Sequence, residues 1–465
     1  MALSIPKKTR YRKRFGGFFK SDFRHDDSVL DLGVATDVFN FDMSTGALRA
    51  GYGIKEHASV PSDAVRYWVY RYYNAEAEGY VDQYVYQIST GHFKYHDSYT
   101  GKTRYISGVA YPPATAINYR VNSEDVLLVS CEGQKLMCWT GSRFRELSGS
   151  PVISSMALHY ERLFVTSSTE PTKVFFSDDL DPTNWSTSAD AGGFIELLDE
   201  RGELTKVVSF SDYLYIFRER GISRLSAFGD QSTFSVTNLY ISAGRIYPES
   251  IVVCGDVIMF AASDGLYMFD GYDTAKVLRN LDGLIDYASV GHGAYYNGKY
   301  YISCKMDFGD GRTVGCEGGT HNRNGLLVYD VSSGEYSISR GLDIDVISVS
   351  TYLGEELCFA HEKLGAGVIA RCGKRFDFQL EKHWESPLSD LGAPDKTKFV
   401  REIYVESSVI AELGLNDGKK TKKYSIKPGK HRVRPNVSCT RLKLWINTGA
   451  NSCNIAAPTV IYTVN

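Results

Sequence analysis

Along most of this chain, apolar residues come in short runs that stop at Gly, Asp or Asn and then resume. Asp125-Val-Leu-Leu-Val-Ser-Cys131 breaks at Gly133 and restarts at Leu136-Met-Cys-Trp139. Asp212-Tyr-Leu-Tyr-Ile-Phe-Arg218 turns at Gly221, and Asp256-Val-Ile-Met-Phe260 turns at Gly265. Asn297-Gly-Lys-Tyr-Tyr-Ile-Ser-Cys304 is followed by Asn324-Gly-Leu-Leu-Val-Tyr-Asp-Val331. Runs rich in β-branched and aromatic residues, joined by Gly-containing loops, predict antiparallel hairpins. Ser62–Tyr73 could be read at a helical period. Its Val, Tyr and Trp content, and the alternation of Tyr80–Ile88, instead predict a hairpin over 65–96.

The hairpin units recur about every 45 to 50 residues, the length of one four-stranded propeller blade. The expected fold class is therefore all-β: a six- or seven-bladed β-propeller with a small C-terminal β-sandwich. An array of β-sandwiches is the alternative. The turn-rich stretch His383-Trp-Glu-Ser-Pro-Leu-Ser-Asp-Leu-Gly-Ala-Pro394 ends the repeating pattern, and alternating runs at 400–405, 441–446 and 458–464 follow. The expected division is a basic arm with a leading strand over 1–60, a propeller over 61–384 and a sandwich over 385–465.

Composition agrees with an all-β chain: 32 Tyr, 23 Phe and 43 Gly stand against 13 Pro in 465 residues. No stretch of about 18 apolar residues predicts a membrane-spanning helix. The basic N-terminus lacks the charged-then-apolar order of a signal peptide. Nine cysteines, an odd number spread through a long chain, predict buried thiols in a protein made in a reducing compartment.

Charge is unevenly distributed. Residues 1–20 carry seven basic side chains and no acidic one; residues 401–465 carry eleven basic and four acidic. Subtracting these two +7 ends from the net −3 leaves −17 for residues 21–400. Opposite-sign regions suit docking between subunits, whereas a general nucleic-acid coat would be basic throughout. The candidate contact residues are Lys7, Lys8, Arg10, Arg12, Lys13 and Arg14 at the N-terminus, with Lys419, Lys420, Lys422 and Lys423 near the C-terminus. They would touch an acidic neighbouring subunit or nucleic acid, unless they form a merely solvated face.

No catalytic motif stands out. The chain has no GxGxxG after a strand, no GxxxxGK[ST], no HExxH and no GxSxG. His92 and His96 are read as exposed residues of a turn, and Asp307-Phe-Gly-Asp-Gly311 lacks the closing Glu of a calcium loop. Ser177-Asp-Asp-Leu-Asp-Pro-Thr-Asn-Trp185 is similar to the Asp-box hairpin of sialidase-type propellers, which gives Asp178, Asp179 and Trp185 a structural role. The expectation is a non-enzyme with no catalytic residue, metal or cofactor.

Three stretches together resemble phage and prophage tail proteins: Phe15-Gly-Gly-Phe-Phe19 with Ala35–Tyr52; Val174–Trp185 running on to Gly193-Phe-Ile-Glu-Leu197 and Asp212–Ile222; and the Trp384–Pro394 hinge. The layout is similar to tail nozzle and head–tail stabilisation proteins of short-tailed phages. That resemblance implies a virion part assembled in the host cytoplasm, with six copies ringed around the DNA exit channel. Its partners would be other tail proteins, such as an adaptor and fibres. The alternatives are a receptor- or carbohydrate-binding tail protein and a glycan-cleaving enzyme.

Overall fold

The computed structural model describes residues 7–18, 30–56, 64–106, 113–131, 133–188, 191–315, 317, 322–350, 356–361, 365–371 and 380–464. Their strands form seven antiparallel blades and a two-sheet sandwich, with no α-helix among them. Blades 1 to 5 are sequential four-stranded meanders: 64–106, 113–146, 153–196, 204–241 and 246–277. Blade 6 spans 285–340, its inner strand broken into Ile285–Asp286 and Ala294–Tyr296.

Blade 7 closes the ring. Its inner three strands are Val346–Ser350, Glu356–His361 and Gly365–Arg371; its outer strand is Tyr52–Glu56, which immediately precedes blade 1 in sequence. Pairing an early strand with a late one leaves no open blade and joins the two ends of the propeller. The blade count is therefore seven.

Each hairpin follows from its turn. At Asn297 and Gly298, φ is 49° and 76°, the left-handed pair that a two-residue hairpin of matching twist needs. Between blades, apolar faces interdigitate: Phe164, Val174 and Phe176 of blade 3 pack with Val207, Leu214 and Ile216 of blade 4. The seven described cysteines are all buried and form no disulfide; Cys316 and Cys372 lie outside the described residues.

The sandwich is not a C-terminal unit alone. Its larger sheet runs from Lys8–Arg12 through Thr459–Val464 to Lys398–Ser407, with Gly429–Val433 and Val437–Cys439 on the far side. Leu48–Ala50 extends it through Asn454–Ile455. The smaller sheet places Asp37–Phe39 against Lys382–Glu385, followed by Lys443–Thr448, Ala411–Asn416 and Thr421–Ile426. The N-terminal stretch expected as a basic arm is thus woven into the sandwich as strands. The propeller occupies 52–371, and the sandwich occupies 8–50 and 382–464.

One core runs through the sandwich and into blades 5 and 6, with Trp384 fully buried against Phe15 at 4.7 Å, edge to face. Asn40 fixes the sandwich to the outer strand of blade 6. Its N–H donates to Ile338 O at 2.8 Å, and its Oδ1 accepts from Arg340 N at 2.8 Å. Arg340, also buried, donates to Asp310 (2.7 Å), Glu317 (2.5 Å) and Arg312 O (2.6 Å), which turns the Asp307–Gly311 stretch into an anchored loop. In the smaller sheet Gly414 has no substitute: an added Cβ would lie 1.8 Å from the Trp445 ring.

Candidate functional site

The outward face of the larger sandwich sheet is basic. In a strand, alternate side chains share a face, so Lys8, Arg10 and Arg12 all point outward while Tyr11 faces the core. The Lys8–Arg12 strand pairs with Thr459–Val464, which in turn pairs with Lys398–Ser407. Across that sheet Arg401, Lys430, Arg432 and Arg434 are exposed as well, and Ile403, Val405 and Val433 are buried. Among the described residues of this face, seven cations meet two carboxylates, Glu402 and Glu406. Glu402 takes Arg432 at 3.3 Å and Arg434 at 3.9 Å.

The propeller presents a contrasting surface. In blades 1 to 6 the inner-to-second and third-to-outer turns emerge on one face of the disc. In blades 1 to 6 the described residues of those turns carry twelve carboxylates: Glu76, Glu78, Glu161, Asp178, Asp179, Asp181, Asp212, Asp230, Asp256, Asp270, Asp273 and Glu335. Arg143 is their single cation. The connections on the opposite face are more mixed, with twelve acidic and seven basic residues among those described. Large exposed apolar side chains also gather on the acidic face: Tyr73, Tyr80, Tyr99, Leu158, Tyr160, Leu180, Phe228 and Tyr272. Such clustering marks an interaction surface, because scattered exposure would distribute over both faces.

This face has two sectors. On blades 4 to 6 the turn charges are Asp212, Asp230, Asp256, Asp270, Asp273 and Glu335, all acidic. On blades 1 to 4 a groove runs across the hairpin tips, and cations join its walls. A cavity of about 730 Å³ lies between the Tyr160–Arg162 turn and the Ala227–Gln231 loop. A second, of about 410 Å³, extends over blades 1 and 2 and shares Tyr160 with the first.

Beneath the first cavity, buried Arg162 donates to Ser177 O and Ala191 O and pairs with Asp179 at 2.8 Å. Asp178 accepts from Asp179 N and Asn184 Nδ2, each at 2.8 Å, while Trp185 Nε1 donates to Pro182 O. The Asp-box-like turn is thus held by its own side chains. His159 lines the cavity with Nδ1 2.9 Å from Ser209 Oγ, and its buried Nε2 has no hydrogen-bond partner. Burial holds this imidazole well below its ordinary value, at about 4, so it is neutral.

Charged groups between neighbouring blades find partners across the blade boundaries. Asp345 takes Arg66 at 3.1 Å and Arg323 at 2.9 Å, tying blades 1, 6 and 7 together. Lys206 donates to Pro248 O and Ile251 O, joining blade 4 to blade 5. No group of three metal-ligating side chains forms among the described residues.

The structure brings together some sequence-predicted residues and separates others. Lys8, Arg10 and Arg12 share the basic sheet. Lys7 precedes it, Lys13 pairs with Asp31 at 3.0 Å, and exposed Arg14 lies beside Gly46. Lys419 and Lys420 cap a hairpin of the smaller sheet, where Lys422 donates to Pro435 O and Lys423 pairs with Glu412 at 3.2 Å. These lysines therefore sit at the edge of the sandwich remote from Lys8–Arg12. Sequence reasoning missed Arg401, Lys430, Arg432 and Arg434. The alternation Lys430-His-Arg432-Val-Arg434 was the available signal. His92 is in an exposed turn, but His96, expected beside it, is buried in the third strand of blade 1 with Nδ1 2.8 Å from Thr103.

In sequence, no family model and no curated protein matches this chain. Among solved structures it is similar to BBS1N in complex with ARL6DN at 10% identity and a TM-score of 0.44, covering 70% of this chain and 98% of that one. It is also similar to virginiamycin B lyase from Staphylococcus aureus, at 10% identity and a TM-score of 0.43, covering 78% and 99%. The extracellular domain of a hybrid two-component system from B. thetaiotaomicron has a TM-score of 0.46 at 9% identity, covering 94% and 64%. The fold is a β-propeller. Its blade count rests on the strand pairing itself.

Proposed function

We propose that this chain is a structural component of a phage tail, built to pack against further copies of itself in a ring around the DNA exit channel. The observation that carries this reading is the separation of charge on one body: seven outward cations on the sandwich sheet, and a purely acidic sector of turns on blades 4 to 6. A contact between two different patches is heterologous, and a heterologous contact whose rotation closes makes a ring. Electrostatic complementarity sets partner choice and register in such contacts. The shared sandwich–propeller core holds the two patches in fixed relation. The resemblance of Phe15–Phe19, Ala35–Tyr52 and Trp384–Pro394 to tail nozzle proteins supplies the expected setting and the number six.

Mass photometry of the full chain tests the contact. Rings are expected at low ionic strength and smaller species as salt rises from about 0.05 M to about 0.5 M, because surface charges are screened. A chain that stays monomeric at every concentration and salt would sink the ring. Cryo-electron microscopy of the particle carrying the protein tests the setting, and density away from the tail axis would contradict it.

A further inference from the structure

The groove across blades 1 to 4 has a chemistry that the acidic docking sector lacks. Its two cavities, about 730 Å³ and about 410 Å³, meet at Tyr160, and each is within the range of small-ligand sites. Phe228 is 72% exposed at one end and Tyr80 is 51% exposed at the other, with Tyr160 between them at 46%. Tyr160 and Phe228 stand edge to face with centroids 5.1 Å apart, so they form a shaped platform. Holding a phenylalanine ring this far in water is unfavourable unless something covers it.

The charges between the rings nearly cancel, three cations against four carboxylates. Arg71, Arg120 and Arg162 face Asp125, Glu161, Asp179 and Asp230 along the two cavities. A polycationic peptide would meet three guanidiniums, and a polyanion would meet four carboxylates. A neutral ligand whose groups both donate and accept hydrogen bonds is opposed by neither set. Sugar hydroxyls do both, and the C–H faces of sugar rings cover aromatic platforms. At the floor of the groove His159 is neutral, with Nε2 unpartnered.

We propose that this groove binds a neutral oligosaccharide, with Phe228 stacking on one sugar ring, Tyr160 flanking the edge of that same ring, and Tyr80 stacking on another. The ring contact rests on Asp212, Asp256, Asp270, Asp273 and Glu335, none of which lines this groove, so this site stands or falls separately from it.

The test is calorimetric titration of the full chain with soluble neutral hexasaccharides: a β-1,4-glucan, an α-1,4-glucan, a β-1,4-linked N-acetylglucosamine and an α-1,6-mannan. At least one should bind. Phe228→Ala and Tyr160→Ala should each weaken it about tenfold, the upper range for one aromatic contact. Both rings are exposed, so the variants should melt with the parent. Binding should also be insensitive to salt. Decalysine is the counter-probe: tight, salt-sensitive binding of decalysine that Asp230→Asn weakens would make this a cation site and overturn the proposal. Failure of all four sugars to bind, or binding unchanged in both ring variants, would overturn it too.

Discussion

The acidic sector of the propeller and the basic sheet of the sandwich are built from the sequence in opposite ways. Asp212 and Asp256 sit in two-residue turns between strands that are neighbours in the chain. The basic sheet draws Lys8, Arg401 and Lys430 from three distant places and holds them by pairings such as Lys8 with Thr463. Local turns need only their own hairpin, whereas the sheet exists only once both ends of the chain have met. Damage to distant pairing should therefore remove the basic surface while leaving much of the acidic one in place.

The largest effect should come from deleting residues 1–56, which removes the outer strand of blade 7 and every N-terminal strand of the sandwich. Hydrogen exchange should show loss of protection across 382–464, with blades 2 to 5 retaining most of theirs, because stability is distributed in local units. Equal loss everywhere would show that closure and local pairing are one cooperative unit.

Next in size is Arg340→Leu. This side chain is 3% exposed, and its loss takes the guanidinium from Glu317 and leaves Asp310 with Arg312 at 3.6 Å. Breaking one side of a buried ion network costs about 3–5 kcal/mol. Chemical denaturation should show a loss of that order, and a change below about 1 kcal/mol would mean that water replaces the guanidinium.

A smaller effect belongs to His159. Its pKa in the fold is about 4, below the ordinary value, so between pH 4 and about 6.5 the unfolded chain holds a proton that the native chain lacks. Its contribution is fully present above pH 6.5 and is lost as pH falls towards 4, at up to about 1.4 kcal/mol per pH unit. His159→Gln should flatten the stability profile in that window. An unchanged slope would assign the acid sensitivity to other groups.

Smallest of all in stability, though not in assembly, is Lys8→Glu, Arg10→Glu, Arg12→Glu with Lys430→Glu. Exposed substitutions of this kind shift stability by about 0.5 kcal/mol or less each. The melting temperature should hold within a few degrees.

What the sequence made legible follows the same division. Blades 2 to 5 could be read because both partners of each hairpin lie within one short window, as at Asp256–Phe269. The N-terminal strands could not, since nothing between residues 8 and 12 names Thr459–Val464 as their partner. An isolated basic run reads equally well as a solvated arm. His96 was misplaced because the turn at Ser89–His92 ends one residue before the third strand begins. The aromatic groove was invisible for another reason: Tyr80, Tyr160 and Phe228 belong to three blades and converge only when the disc closes.

The claim that the two surfaces fit one another is tested most directly by a charge-swap mixture. One variant reverses the sheet, with Lys8, Arg10, Arg12 and Lys430 changed to Glu. The other reverses the sector, with Asp212, Asp256, Asp273 and Glu335 changed to Lys. Measured by mass photometry at low salt, each alone should remain monomeric, since its two contact surfaces then carry one sign. An equal mixture should form even-numbered rings in which the two alternate. Rings formed by either variant alone, or none from the mixture, would contradict the account.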